Sequence, residues 1–246
     1  MLTPMGNQRV DMLAQGAEPV RVLIVGGGGR DHALAWALAQ SPRCAELHAA
    51  PGNPGMARIA TCHPHIAPDD IDAMVALAQR LEIDLVVVGA EDLLVAGISS
   101  RLHEAGIACF GPSQAAAQLE GSKTFAKQLM DDAGVPTADW VSCETPEEAY
   151  RAIARFGGAV AVKTDGLAAG CGAFVCRSAE HAEQVVHDMM VRRLFGAAGD
   201  RIIVEALITG REVSVMAFTD GTHVVPLPAA RDYKRLADHD MGPNTG

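Results

Sequence analysis

A lysine followed by a loop of small residues is the segment of this sequence with the clearest capacity for chemistry. The stretch KTDGLAAGCG runs from Lys163 to Gly172 and directly follows the apolar residues VAV. Small residues let backbone amides approach a phosphate closely, and the lysine adds a positive charge. Cys171 is unexpected there, because a neutral thiol gives a phosphate no counter-charge. The segment predicts a phosphate-binding loop with one cation fewer than such a site favours.

A second glycine-rich turn follows the first strongly apolar run of the chain. The run VRVLIV ends at Val25, and Gly26–Gly29 and a helical pattern come next. Unpaired amides at a helix N-terminus bind anions. The dinucleotide fingerprint is not met, because Asp31 stands at its third glycine and the next strand ends in Ala50-Pro51 without a carboxylate. We therefore expect an anion site rather than a nicotinamide or flavin site; a tight turn that binds nothing is the alternative.

The elements that carry this turn alternate between strand and helix. The apolar strand patterns AELHAA, IDLVVVGAED and IACFGPS follow the first helix, and helical patterns separate them. Such alternation is typical of a parallel sheet covered by helices on both faces, with ligands bound beyond the carboxyl ends of the strands. Helices are expected at 69–81 and 94–105, and the ligand-binding rim is expected from loops 26–30, 51–55 and 89–91.

The pattern changes character after Ser113. A helical segment broken near Gly121 leads into strand–loop–strand hairpins mixed with helices. This arrangement is typical of an antiparallel α+β module rather than a continuation of the parallel sheet. We expect a domain boundary between residues 112 and 122.

Composition and charge argue against several classes of partner. The 246-residue chain has a net charge of −10 and is 4% aromatic, which disfavours nucleic acid or an anionic membrane as the main partner. Its six cysteines have no CxxC spacing, and such scattered thiols are typical of a reducing compartment such as the cytoplasm. The sequence has no apolar run long enough to span a bilayer and no secretory signal at its start. Small anionic substrates remain compatible with this composition.

Several long motifs occur in the order found in one enzyme family. They are VLIVGGGGRDHALAWALAQSP, APGNPG, FGPSQAAAQLEGSKTFAKQLM, VKTDGLAAGCG, VEALITGREVSVMAFTDG and DYKRLADHDMGPNTG. Together they closely resemble phosphoribosylamine–glycine ligase, a family of the ATP-grasp superfamily. The resemblance implies an α/β fold, with an N-terminal parallel (Rossmann-like) sheet domain followed by an α+β ATP-grasp lid and an incomplete ATP-grasp domain. The segments it suggests are an N-terminal extension at 1–19, a substrate-binding domain at 20–121, the lid at 122–200 and the start of a second ATP-grasp subdomain at 201–246.

The resemblance also implies a reaction, which is a step of purine synthesis. Members of the family ligate glycine to 5-phosphoribosylamine and cleave ATP to ADP and phosphate through a glycyl phosphate. Forming an acyl phosphate brings two anions together, so it requires cations, amide donors and Mg²⁺ or Mn²⁺. The implied partners are these small molecules, not nucleic acid or a membrane, and the implied state is a cytoplasmic monomer.

Candidate site residues are carried over from the matched motifs. On the ATP side we expect two lysines and a glycine loop at the phosphates, a hinge whose backbone pairs with adenine, and an acid at the ribose: Lys123, Lys163, Gly166, Leu167, Ala168, Ala169, Gly170, Gly172, Glu205, Ala206, Leu207, Ile208 and Glu212. On the substrate side we expect groups for the ribose phosphate, for an amine or hydroxyl, and from the C-terminal motif: Gly27, Gly28, Gly29, Asn53, Glu91, Asp232, Lys234, Arg235, Asn244 and Thr245. The matched motifs assign no catalytic residue and no metal ligand.

Departures from the family pattern leave two other interpretations open. The lysine of the family's GLAAGKG loop is Cys171 here, and the motifs GREHA, GPE, DHKR and the paired hinge glutamates are changed at Asp31, Ala90, Tyr233 and Ala206. The family also continues well past GPNTG, and the resemblance puts the Mg²⁺ ligands in that further part. One alternative is a non-catalytic descendant that keeps the first sheet as a binding module. The other is an ATP-grasp ligase for a different carboxylate, although PGNPG and DYKR argue against it.

Overall fold

A computed structural model describes most of the chain. The described residues are 18–168, 170–231, 233, 235–238 and 241–244. Residue 235 and residues 241–244 are described by their backbone alone. Of the N-terminal extension expected at 1–19, only Glu18 and Pro19 are described. Within this described part of the chain, no helix is long and apolar enough to cross a bilayer.

The chain forms two compact units, Met1–Gly121 and Ser122–Gly246. The first unit is built from short strands and helices that alternate. Its elements are β1 (Val20–Gly26), α1 (Gly29–Leu38), β2 (Cys44–Pro51), a 3-10 turn (Met56–Arg58), β3 (Thr61–Cys62), α2 (Ile71–Arg80), β4 (Leu85–Val88), α3 (Glu91–Ala96), α4 (Ile98–Glu104), β5 (Ala108–Phe110) and α5 (Gln114–Gly121).

The strands of the first unit form a parallel sheet in the order β3-β2-β1-β4-β5. Its central strand, β1, is buried on both faces. Leu23 and Val25 belong to one apolar cluster, while Val22 and Ile24 belong to another. A strand covered on both sides is apolar throughout instead of alternating, which is why Val22–Val25 form a continuous apolar run. The parallel sheet expected from the sequence is confirmed.

One predicted helix of this unit is wrong. The helix expected at 69–81 is α2, and Asp70 caps it by accepting a hydrogen bond from the Ala73 amide at 2.9 Å. The helix expected at 94–105 is instead the pair α3 and α4, separated by Gly97. Gly97 has a φ of 100°, a left-handed conformation that ends a helix and that glycine adopts readily. The apolar spacing continues across this break, so the pattern alone did not reveal it.

The second unit has an antiparallel sheet with helices packed on it. Its elements are α6 (Lys123–Asp132), β6 (Trp140–Cys143), α7 (Pro146–Arg155), β7 (Val160–Thr164), β8 (Ala173–Cys176), α8 (Ala179–Val186), a π-helical turn (His187–Val191), a 3-10 turn (Gly196–Gly199), β9 (Ile202–Ala206), β10 (Ala217–Thr219), β11 (Val224–Pro226), β12 (Arg235–Ala237) and β13 (Met241–Asn244). Strands lie in the order β6-β9-β7-β8, and every pair is antiparallel. Helices α7 and α8 share one apolar cluster with this sheet. The antiparallel α+β module expected after residue 113 is confirmed.

Strand β9 lies inside this sheet, between β6 and β7. The lid was expected to end at residue 200, which is just before β9 begins. By hydrogen bonding, β9 therefore belongs with the segments before residue 200 and not with those after it. The strands that follow form two separate ribbons, β10 with β11 and β12 with β13.

Candidate functional site

The carboxyl ends of β1 and β2 meet at one rim of the parallel sheet. The Gly52 amide donates to the Gly26 carbonyl at 3.1 Å. Asn53 Nδ2 donates to the Gly27 carbonyl at 2.9 Å, and Asn53 Oδ1 accepts from the Gly55 amide at 2.9 Å. Asn53 thus ties the loop after β2 to the glycine turn after β1. Two of the predicted substrate-side segments are brought together by this one amide side chain.

The carboxylate of Asp31 fills the inside of the glycine turn. Asp31 is only 6% exposed, and its Oδ2 accepts a hydrogen bond from the Gly28 amide at 2.8 Å. Oδ1 has no hydrogen-bond partner among the described residues. A Cβ on Gly26 or on Gly89 would overlap this carboxylate, so both positions require glycine. One amide of the anion site predicted at Gly27–Gly29 is therefore already engaged by the chain's own carboxylate.

Arg30 is a cation at this rim that the sequence reasoning missed. Its Nη1 lies 3.0 Å from Glu91 Oε2 and donates to the Gly89 carbonyl at 3.0 Å. Glu91, predicted to meet an amine or hydroxyl, thus shares its carboxylate with a guanidinium. The Arg30 side chain is 69% exposed, so part of the guanidinium is open to a ligand. Its place in the first turn of a helix that opens with glycines was the signal that could have identified it.

The second glycine-rich segment is the connection between β7 and β8. Its ends are closed together, because the Thr164 amide donates to the Gly172 carbonyl at 2.8 Å and Thr164 Oγ1 donates to the Gly166 carbonyl at 3.0 Å. A Cβ on Gly172 would overlap Thr164 Oγ1. Gly170 has a φ of 77°, which again favours glycine. The loop 166–172 is thus narrow at its base, and Cys171, the residue before Gly172, is exposed.

Lys123 is brought to the base of this loop by Asp165. The Lys123 amide donates to the Asp165 carbonyl at 3.1 Å, and its Nζ donates to the Gly166 carbonyl at 3.4 Å. The Asp165 carboxylate accepts from the Thr124 amide at 2.7 Å and from Ser122 Oγ at 3.0 Å. This carboxylate therefore joins the start of α6 to the start of the glycine loop.

Lys163, on β7, is held by a buried carboxylate. Its Nζ lies 2.8 Å from Glu205 Oε2, and the Glu205 side chain is 7% exposed. The other carboxylate oxygen lies 3.3 Å from the Nζ of Lys127. The sequence reasoning selected Lys163 and Glu205 for different roles, and it did not select Lys127. The sheet brings the three side chains into one cluster.

The predicted adenine hinge, residues 205–208, begins within β9. The Ala206 amide donates to the Asp139 carbonyl at 2.8 Å, so that donor is used by the fold. The backbone amides of Leu207 and Ile208 have no hydrogen-bond partner in the part of the chain that the structure describes. Glu212, predicted to meet the ribose, is exposed and lies between β9 and β10.

The C-terminal candidates are described only in part. Asp232, Lys234, Thr245 and the loop residue Ala169 lie outside the described residues. The other two, Arg235 and Asn244, lie directly opposite each other on the β12–β13 ribbon. The ribbon thus brings these two positions together along the backbone.

Two cysteines, Cys143 and Cys176, are buried, unlike the exposed Cys171. Burial raises the pKa of Cys143 and of Cys176 to about 11, so both stay neutral thiols and act as core residues. Among the described residues, no group of three or more His, Cys, Asp or Glu side chains is arranged to hold a metal ion.

Comparisons with known proteins match both units. The N domain of phosphoribosylglycinamide synthetase matches residues 20–120, and the ATP-grasp (A) domain of the same enzyme matches residues 121–246. The chain is 45% identical over 228 residues to a phosphoribosylamine–glycine ligase of Xanthomonas campestris pv. campestris, covering 92% of this chain and 53% of that protein. It is 48% identical over 229 residues to the Homo sapiens trifunctional purine biosynthetic protein adenosine-3, covering 92% of this chain and 23% of that protein.

A solved structure gives the same result. The crystal structure of phosphoribosylamine–glycine ligase from Thermotoga maritima matches with a TM-score of 0.73 and 33% sequence identity, covering 92% of this chain and 54% of that one. The chain thus spans about half the length of the bacterial relatives it matches. Both family domains match in order and without a gap, and the chain therefore belongs to the phosphoribosylglycinamide synthetase family.

Proposed function

We propose that this chain provides the substrate-binding domain and the phosphate loop of an enzyme that ligates glycine to 5-phosphoribosylamine with cleavage of ATP. The observation that carries the proposal is the ordered match of both units to ligases of this name, at 45% identity. The fold alone would not support it, because one fold hosts many functions. The two alternatives considered from the sequence, a binding module without catalysis and a ligase for another carboxylate, receive no support from these comparisons.

The ATP side of the proposed reaction uses the loop 166–172 and two lysines. The carboxylate of glycine attacks the γ-phosphate, the bond from that phosphate to ADP breaks, and a glycyl phosphate forms. Negative charge then has to be balanced on both fragments. Lys163 at the start of the loop and Lys123, with its Nζ 3.4 Å from the Gly166 carbonyl, are the cations proposed for this. We assign the Leu207 and Ile208 amides to adenine and Glu212 to the ribose hydroxyls.

The substrate side of the proposed reaction uses the rim of the parallel sheet. The amine of 5-phosphoribosylamine attacks the acyl carbon, phosphate leaves, an amide forms, and the amine loses a proton. Gly27–Gly29 and Asn53 are proposed to meet the ribose phosphate, joined by the exposed Arg30, and Glu91 is proposed to meet the amine or a hydroxyl. The remaining proposed contacts come from the C-terminal motif: Asp232, Lys234, Arg235, Asn244 and Thr245.

Mg²⁺ or Mn²⁺ is the proposed metal, because a divalent cation bound to the phosphates neutralises their charge. The described residues offer no cluster that would hold it, so we assign no step to a metal ligand of this chain. A cytoplasmic, monomeric enzyme is part of the proposal, and light scattering of the purified protein tests its oligomeric state.

Product formation tests the proposed activity. The 246-residue chain is assayed alone and joined to the C-terminal remainder of the Xanthomonas relative, with ATP, glycine and freshly made 5-phosphoribosylamine. We expect the joined protein to form glycinamide ribonucleotide with one ADP per product. Lys163→Met in the joined protein should lower kcat/KM by about 100-fold or more, because a charged contact to the transferred phosphate is lost. A folded joined protein that forms no product, beside an active Xanthomonas enzyme, would overturn the proposal.

A further inference from the structure

One buried lysine on α6 takes no part in the proposed reaction. Lys127 is 9% exposed. Its Nζ donates to Thr137 Oγ1 at 2.6 Å and to the Ala138 carbonyl at 3.5 Å, and it lies 3.3 Å from Glu205 Oε1. Burying an ammonium is costly unless partners take up its three N–H groups, and these three partners do so. A residue that only anchored α6 would not need this charge, because an apolar side chain of similar length would fill the same space.

The carboxylate of Glu205 is shared between two ammonium groups. Oε1 faces Lys127 at 3.3 Å, and Oε2 faces Lys163 at 2.8 Å. Two lysines and one glutamate carry a formal charge of about +1 near neutral pH. Without Lys127, the remaining pair of Lys163 and Glu205 would be formally neutral. Because the cluster is mostly buried, water screens these charges weakly, and the difference of one charge is felt locally.

We propose that Lys127 is a positioning residue that acts on Lys163 through Glu205. It binds one carboxylate oxygen and offsets the carboxylate's charge. Glu205 can then hold Lys163 at the base of the loop 166–172 without cancelling its positive charge. This inference rests on the proposed function, in which Lys163 meets the phosphates of ATP. A purely structural role would make Lys127 matter for folding but leave the charge balance at Lys163 unchanged.

A set of four variants separates the two roles by formal charge. Lys127→Met makes the cluster neutral while keeping an unbranched side chain. Lys127→Arg keeps the charge. Glu205→Gln leaves two lysines without a carboxylate, and the double variant Lys127→Met/Glu205→Gln returns the cluster to the charge of the natural chain. If Lys127 acts through its charge, the double variant should regain the natural reactivity of Lys163. If Lys127 is only a structural anchor, a second substitution should not repair its loss.

The measurement is the rate at which Lys163 is acetylated by acetic anhydride in the folded 246-residue chain. Only the free amine reacts, and mass spectrometry quantifies the modified peptide against an added lysine-containing reference peptide. In Lys127→Met the carboxylate of Glu205 is no longer shared with a second ammonium and interacts with Lys163 at its full charge. Its free amine becomes rarer, and acetylation should slow on the order of tenfold. In Lys127→Arg and in the double variant, the acetylation rate of Lys163 should lie within about threefold of its rate in the natural chain.

Two results would overturn the inference. One is a folded Lys127→Met whose Lys163 reacts at the natural rate. The other is a double variant that stays as slow as Lys127→Met. If Lys127→Met does not fold, Glu205→Gln and the double variant decide the question. Acetylation of Lys163 should then be slower in the double variant, which lacks the Lys127 charge, than in Glu205→Gln. Equal acetylation rates in these two variants would refute the inference.

A second arm separates this inference from the proposed function. The same acetylation is repeated with and without MgATP in the natural chain joined to the Xanthomonas remainder. Protection of Lys163 by MgATP supports its contact with phosphates. Absence of protection counts against that role, and so against the proposed function, while the comparison of the Lys127 variants still stands or fails by itself.

Discussion

At the scale of single residues, the glycine turn after β1 is shaped by one carboxylate. Asp31 is buried beneath the turn, and the Gly26 and Gly89 backbones lie against it. The glycine at position 89 is therefore required by a side chain far away in sequence and not by its own turn. Because the same carboxylate holds the Gly28 amide, an anion at this helix end would compete with it for that donor.

Gly89→Ala tests this packing. Its Cβ would overlap Asp31 Oδ1, so we expect the free energy of unfolding to fall by about 1–3 kcal/mol, as for other overpacked sites. Gly29→Ala is the matched control, because a Cβ there meets nothing within 4 Å and helices favour alanine over glycine. Urea denaturation measures both. Equal stability of the two variants would contradict the assigned role of Asp31.

Cys171 is the residue at which the loop 166–172, proposed to bind the phosphates of ATP, departs most from the family pattern GLAAGKG. A lysine there would add one charge-assisted contact to a phosphate, which is worth roughly 1.5–3 kcal/mol. Cys171→Lys, in the chain joined to the Xanthomonas remainder, should therefore raise kcat/KM by about tenfold or more. Steady-state assay of glycinamide ribonucleotide formation measures it. An unchanged kcat/KM would mean that the exposed thiol is simply tolerated in this loop.

At the scale of elements, the start of α6 is fixed by two interactions of one serine. Ser122 Oγ accepts from the Phe125 amide at 3.2 Å, as an N-cap does, and donates to Asp165 Oδ1 at 3.0 Å. The cap thus joins the helix that carries Lys123 to the loop that follows Lys163. A helix cap and the placement of the two lysines depend on the same hydroxyl.

Ser122→Ala should lower the free energy of unfolding by about 1–3 kcal/mol, because it removes a cap and leaves a partly buried carboxylate with one donor fewer. Ser178→Ala is the control. Ser178 caps α8 by accepting from the His181 amide at 3.3 Å, and its loss should cost only about 1 kcal/mol. Thermal or urea denaturation compares them, and a larger loss at Ser178 would argue against the double role of Ser122.

The turn between β10 and β11 is expected to open in acid. Hydrogen bonds from the His223 amide and ring and from the Thr222 amide lower the pKa of Asp220 to about 2. A carboxyl whose pKa is lowered by folding stabilises the folded form at pH values above its ordinary pKa of about 3.8. That stabilisation is lost as the pH falls towards 2. The amide resonance of His223 should therefore titrate with a midpoint near pH 2. A midpoint near 4 would show that the turn does not hold the carboxylate.

At the scale of the whole molecule, each unit has a sheet and an apolar core of its own. Limited proteolysis should therefore cut first in segments that lie outside these cores. The two expected places are residues 112–122, at the ends of α5, and the loop 166–172. Mass spectrometry of the early fragments identifies the sites. Strands β1 and β9, which lie inside their sheets, should remain intact in those fragments. Long-lived resistance at both predicted places would contradict the division into two units.

The sequence by itself determined the local features of this protein. Continuous apolar runs predicted buried parallel strands, glycines marked the two loops, and the order of motifs indicated the family. These features could be read because strand and turn preferences depend on neighbouring residues. The break at Gly97 was missed for the same reason, since the apolar spacing on its two sides is compatible with one helix.

Only the tertiary structure decided which distant side chains meet. Lys163 and Glu205 are 42 positions apart. In the β7–β9 register, Lys163 is paired with Ile203, and Ala161 is paired with Glu205. The side chains of Lys163 and Glu205 therefore lie on the same face of the sheet, as diagonal neighbours two residues apart. Lys127, on α6, joins them because its Nζ lies 3.3 Å from Glu205 Oε1. A pattern within one segment contains no information on such a register, so the charge cluster at the base of the loop 166–172 could not be predicted from the sequence.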